Sequence, residues 1–116
     1  MPQTPEHLLR GLRAAGDHSR LRLLNLLALG EIAVSELTEI LGQSQPRVSR
    51  HLRLMTEAGL LERFRELHWV YYRMAAEGEG ADIARALLGL LDRDDPMLVA
   101  DRERATTILA RRACRR

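Results

Sequence analysis

Apolar residues recur at helical spacing from Leu8 to Met55, and after Gly59 the period falls to two. Helix faces repeat every 3.6 residues and strand faces every second residue, so the two stretches cannot be the same kind of element. A mainly α fold carrying one small β-hairpin follows. At 116 residues the chain has room for one domain with one core.

The helical part divides at its glycines and caps. Leu8, Leu12 and Ala15 follow Pro5, a residue tolerated in a first turn, which predicts a helix over about 5–15 closed by Gly16. Asp17 or Ser19 can cap the next segment, Arg20 to Leu29. Leucines at 21, 23, 24, 26, 27 and 29 make it apolar almost all round, as expected of a central buried helix stopped by Gly30. Val34, Leu37, Ile40 and Leu41 mark one face of a short helix, and Gly42 supplies the left-handed residue that ends many helices. Ser44 is a good N-cap, Pro46 falls in the first turn, and Val48, Leu52 and Met55 form a stripe ending near Gly59. Two helices joined by a tight turn make a helix-turn-helix.

In the next segment Leu61, Arg63 and Arg65 alternate with Glu62 and Phe64, and Trp69, Tyr71 and Arg73 alternate with Val70, Tyr72 and Met74. This predicts a hairpin turning near Glu66 and Leu67, with Phe64 opposite Trp69. A hairpin beside a helix-turn-helix defines the winged variant, here in the order α-α-α-α-β-β-α and expected to dimerise. Gly78 and Gly80 read as a flexible break before a helix carrying Ile83, Ala84, Leu87, Leu88 and Leu91. After Asp94-Asp95-Pro96, residues 97–110 can form another helix, but Met97, Ala100, Ile108 and Leu109 are too sparse to anchor a core of their own. The expected division is a winged domain over 1–92 and a helical extension or tail over 93–116, Arg-rich at 111, 112, 115 and 116.

Several function classes drop out. No apolar run approaches the roughly 20 residues of a membrane-spanning helix, and Met1 to Leu12 lacks a basic region followed by an apolar stretch, so no membrane association and a cytoplasmic location are expected. Cys114 is the one cysteine, which excludes an internal disulfide and a multi-cysteine metal site. His7, His18, His51 and His68 are dispersed without partners at an evident spacing, so neither an enzyme nor a cofactor site is expected.

Net charge is only +2, and it is the placement of charge that matters. All 18 basic residues are arginine, whose planar head suits phosphate and guanine, although a GC-rich genome produces the same bias. On a helical wheel Arg47, Arg50 and Arg53 point at least about 100° away from the Val48 stripe. Their spacing spans roughly 9 Å, a few base pairs of a major groove. Ser44, Gln45, Val48, Ser49 and His51 join them on the candidate reading helix. From Ser44 to Arg73 six arginines stand against three glutamates. Arg63, Arg65 and Arg73 on the wing, with His68 near its tip, are candidates for phosphate or minor-groove contact. The plain alternative is a solvated helix face; the adjoining helix, turn, cap and hairpin favour double-stranded DNA. A winged helix used for protein contact is the other reading, and an apolar reading face would favour it.

The run Val34-Ser35-Glu36-Leu37-Thr38-Glu39-Ile40-Leu41-Gly42-Gln43-Ser44-Gln45-Pro46-Arg47-Val48-Ser49-Arg50-His51-Leu52, with Glu57-Ala58-Gly59-Leu60-Leu61 and Trp69-Val70-Tyr71-Tyr72-Arg73, resembles the arsenical-repressor (ArsR) family of winged-helix regulators. The similarity covers about residues 8–92. It implies a cytoplasmic homodimer, paired through its first and last helices, that binds a palindromic operator and usually represses. Leu8, Leu9 and Leu12, with Ile83, Leu87, Leu88 and Leu91, are the candidate pairing residues; ordinary packing within the chain is the alternative. Metal sensors of the family carry cysteines where this chain has Ile32-Ala33-Val34-Ser35-Glu36-Leu37, and the last helix has Asp82 but no His. No metal site is therefore expected, leaving room for an unidentified small-molecule effector. At the wing tip Leu67 stands where the family often has Gly, which favours a wider loop over a type I′ turn. The stretch from Asp94 to Arg104 is similar to the connection in members fused to a methyltransferase, which would make this chain the DNA-binding part of a longer one.

Overall fold

Local capping chemistry sets the helix boundaries in the computed structural model, which describes residues 2–115. Helix α1 (Pro5–Ala15) opens with the Thr4 hydroxyl accepting from the His7 N–H at 3.2 Å. Asp17 is the cap of α2 (His18–Leu27): its Oδ2 accepts from the N–H groups of Ser19 at 2.8 Å and Arg20 at 3.3 Å. Leu23, Leu24, Asn25, Leu26 and Leu27 are all buried, so α2 is the central helix, ending before the exposed Leu29.

A short strand β1 (Ile32–Ala33) leads into α3 (Val34–Leu41), where the Glu36 carboxylate accepts from the Ala33 N–H at 2.9 Å. Gly42 takes φ 66° and turns the chain out of α3, a conformation that disfavours any residue with a Cβ. Helix α4 (Gln45–Glu57) follows with Ser44 at the N-cap position, although the Ser44 hydroxyl makes no capping bond. Val48, Leu52 and Met55 are fully buried against the rest of the core.

Strands β2 (Leu61–Glu66) and β3 (Trp69–Met74) form the wing, and β1 pairs with β3 on the other edge, giving the order β1-β3-β2. The two-residue strand β1 is too short to have shown a period. The hairpin turn is Leu67-His68, one residue later than the sequence implies, which changes the pairing. Phe64 lies opposite Tyr71, with ring centroids 5.5 Å apart, and Trp69 lies opposite Glu66. The expected wider loop does not form: two residues close the hairpin, and Leu67 accepts φ 57° to do so.

Helix α5 (Glu79–Leu90) begins at Glu79, so Gly80 lies inside it rather than in a flexible break. Gly80 is needed for close approach, because a Cβ there would overlap the backbone of Gly59. Helix α6 (Pro96–Arg115) is longer than expected and docks on α2 and α3, burying Leu98, Asp101, Ala105 and Ile108. Its apolar residues are sparse, as the sequence indicated; polar pairs supply the rest of the anchorage. Arg22 holds Asp101 through two bonds of 2.8 and 2.9 Å, Arg93 and Arg102 both donate to Asn25 Oδ1, and Arg112 holds Glu36.

Candidate nucleic-acid interface

The buried stripe of α4 leaves a basic edge in solvent. Arg47, Arg50 and Arg53 are exposed, with Ser44 and Gln45 exposed and Ser49 half-buried beside them. Arg47 and Arg50 have no side-chain hydrogen bond or ion pair among the described residues. Arg53 approaches Glu57 at 3.7 Å, an exposed i,i+4 pair of the kind that contributes little.

Strand register decides which wing residues share that side. Arg63 pairs with Tyr72 and Arg65 with Val70, so these four alternate onto one face. Between that face and α4 runs an open groove of about 640 Å³, whose walls include Gln45, Ser49, Arg50, Arg53, Arg63 and Tyr72. Arg73 pairs with Glu62 on the opposite face, where its Nε donates to Glu62 Oε2 at 3.0 Å and its guanidinium lies over Phe64 at 4.7 Å. That bond, helped by the Ala76 N–H, holds the Glu62 carboxyl below its usual range. Arg73 therefore does not join Arg63 and Arg65. His68 is exposed in the turn itself.

Two candidates from α4 point inward. Val48 is fully buried, and His51 is nearly so, and neither side chain is presented at the basic edge. The helical period accounts for Val48, which belongs to the core stripe. His51 Nδ1 accepts from Arg20 Nε at 3.0 Å, with Asp17 Oδ2 4.0 Å away. Burial pushes the His51 pKa down, Asp17 opposes this, and the neighbouring charges of Arg20, Arg47 and Arg50 push it further down. Arg20 was not singled out from the sequence, where it reads only as a polar position on a leucine-rich helix. At Asp17 burial raises the carboxyl pKa, but hydrogen bonds from the Arg20 and Ser19 N–H groups and the charges of His51 and Arg20 outweigh it, holding the pKa down.

Away from this surface, α1 and α5 meet where Gly11 lets Ile83 press against it. Ile83 is consequently buried within the chain, while Leu87, Leu88 and Leu91 are half-buried. Leu8, Leu9 and Leu12 remain exposed, and Leu8 and Leu12 with Ala86, Leu87 and Leu90 line an apolar groove. Leu90, which is 83% exposed, extends the patch beyond the residues expected from sequence. Among the described residues no cluster of three or more His, Cys, Asp or Glu could hold a metal ion, and no helix is long and apolar enough to cross a membrane.

Comparison with known proteins identifies this architecture. Residues 17–63 match the family described as "Bacterial regulatory protein, arsR family". The arsenic resistance transcriptional regulator ArsR1 of Pseudomonas putida is 46% identical over 66 residues, which are 56% of this chain and 52% of that protein. The biofilm growth-associated repressor of Agrobacterium fabrum is 35% identical over 79 residues, 68% of this chain and 67% of that protein. A homodimeric winged helix-turn-helix DNA-binding domain from Mycobacterium bovis superposes with a TM-score of 0.66 at 28% identity, covering 79% of this chain and 90% of that one. The chain spans about half the length of curated relatives such as ArsR1. With its winged helix-turn-helix fold, this chain belongs to the arsR family of bacterial regulatory proteins.

Proposed function

We propose that the chain is a cytoplasmic, sequence-specific DNA-binding transcriptional repressor that acts as a homodimer on a palindromic operator. The carrying observation is that Arg50 and Arg53 of α4 and Arg63 of the wing line one groove, with Arg65 on the same face of the wing as Arg63. Arg47, Arg50 and Arg53 enter the major groove with Gln45 and Ser49, and the wing arginines contact the flanking backbone or minor groove. Residues 1–92 form the reading and pairing unit, and α6 buttresses it. The apolar groove between α1 and α5 takes the same groove of a second copy, which places two α4 helices about 34 Å apart, one turn of DNA. No catalytic chemistry is assigned. The arsenic response named for some relatives is not carried over, because the stretch from Ile32 to Leu37 has no thiolate.

Fluorescence anisotropy tests this with duplex DNA from the chain's own upstream region and a scrambled duplex, at two salt concentrations. Selective, salt-sensitive binding is expected, lost in Arg50→Ala and retained in Arg73→Ala. Absent or equally weak binding to both duplexes would overturn the proposal and turn attention to protein partners for the same arginine edge.

A further inference from the structure

The groove beside the wing is one of two flanks of α4. On the other flank, where Leu54 and Ala58 face α1, a second open groove of about 520 Å³ is lined by Arg10, Arg13 and Arg20 with Glu6 and Glu57. We propose that Arg13 and Arg20 bind DNA phosphates on this flank, so that the backbone is held on both sides of the reading helix. The proposal rests on the DNA-binding function proposed above and extends its footprint to α1 and α2.

The three arginines differ in availability. Arg10 is committed, with Nη2 donating to the Glu57 carbonyl at 3.0 Å. Arg20 is oriented without being neutralised: Nε donates to His51 Nδ1 at 3.0 Å and Nη1 to the Arg13 carbonyl at 3.2 Å, both uncharged acceptors. Asp17, a carboxylate that feels the Arg20 charge, already accepts backbone N–H groups of Ser19 and Arg20 through Oδ2. Arg13 is exposed and has no side-chain hydrogen bond or ion pair among the described residues.

A guanidinium fixed by neutral acceptors beside a second, unengaged one matches what a phosphodiester needs: full positive charge, several remaining N–H donors and a preset direction. Arg20 bonds His51 of α4 directly, and Arg47 and Arg50 of the basic edge act on the same imidazole, so Arg20 adjoins that edge at His51. Use of this flank does not compete with pairing, because α1 turns Leu8 and Leu12 toward α5 and its arginines toward α4. Backbone contacts carry no sequence information, but on both flanks they fix the register and tilt at which Arg47, Arg50 and Arg53 meet base edges.

The test measures operator and scrambled duplex affinities across a series of salt concentrations for Arg13→Gln, Arg20→Gln, Arg20→Lys and the double Gln variant. Arg85→Gln, on α5 and ion-paired with Asp82, controls for loss of net charge. Removing one phosphate-binding guanidinium should lower the slope of log affinity against log salt by about 0.9. Both duplexes should weaken by the same factor, leaving selectivity intact, and Arg20→Lys should recover much of the slope. Arg13→Gln alone removes nothing from the fold, so it must also shift the slope. A double variant with the wild-type slope, in a protein whose Arg50→Ala variant loses selectivity, would sink this inference while leaving the DNA-binding function standing. Failure of the wild type to bind either duplex would remove both.

Discussion

Gly59 and Gly80 meet backbone to backbone, bringing the end of α4 against the first turn of α5 with no side chain between them. Gly80→Ala would drive its Cβ into the Gly59 carbonyl, an atom that cannot rotate away. We expect it to destabilise the protein by about 1–3 kcal/mol. Gly11→Ala meets only the flexible end of Ile83, so it should cost less. Urea unfolding midpoints of the two variants check the order, and equal midpoints would mean that the α4–α5 approach is not tight.

Asp101 is fully buried on α6 and held by Arg22 of α2, with Arg104 as a third, more exposed member. The bond to Asp101 raises the Arg22 pKa further above its usual range. Asp101→Ala leaves a mostly buried guanidinium without its counter-charge, and a loss of about 3 kcal/mol is expected. Replacing both members, Arg22→Met with Asp101→Leu, should recover most of that loss. Guanidinium unfolding of the three proteins decides. If Asp101→Ala unfolds with the wild-type midpoint, the buried ion pair contributes nothing to the stability of the domain.

How far sequence carried the fold depended on whether a residue acts within its own element. Val48, Leu52 and Met55 declare α4 because their spacing alone fixes a face. The same period assigned Arg47, Arg50 and Arg53 to the opposite edge, where the structure has them. Arg73 does not partner Arg63 and Arg65, and its charge alone had grouped it with them: a two-residue turn at 66–67 or at 67–68 equally puts Arg73 on the face away from those two, with Glu62 opposite it in the observed register. Strand β1 consists of two residues whose pairing with Tyr71 and Tyr72 is entirely non-local. Helix α6 looked unanchored because apolar counting is blind to Asp101 and Arg112, whose partners lie 79 and 76 residues away.

His51 should make stability pH-dependent in one direction. Burial first, and then Arg20, Arg47 and Arg50, hold its pKa below that of the unfolded chain, against the opposing pull of Asp17. The unfolded state therefore binds the proton more readily. The contribution is fully present above about pH 6.5, the ordinary histidine value, and is lost as pH falls toward the depressed folded value. Asp17, also held low, loses its contribution only below the ordinary carboxylate range. Denaturation at pH 7.5 and at pH 5 compares the two regimes. The wild type should be less stable at the lower pH, and His51→Gln should flatten the difference; an unchanged difference would assign the effect to another histidine.

Leu12 and Leu90 stand on opposite walls of the groove between α1 and α5, both exposed in the isolated chain. A carboxylate at either place does not disturb the monomer core, since neither side chain is part of it. In a homodimer that buries this groove, the same carboxylate would lose its hydration with no counter-charge to meet it. Leu12→Glu and Leu90→Glu should therefore keep the wild-type helical content and yet shift the mass in solution, by light scattering, from two chains to one. Half-site spacing couples this to DNA: a monomer retains one α4, so operator affinity should fall while weak single-site contact survives. Leu29→Glu, an exposed leucine outside the groove, should change neither mass nor affinity. A wild type that is already monomeric at micromolar concentration would rule out pairing through this face.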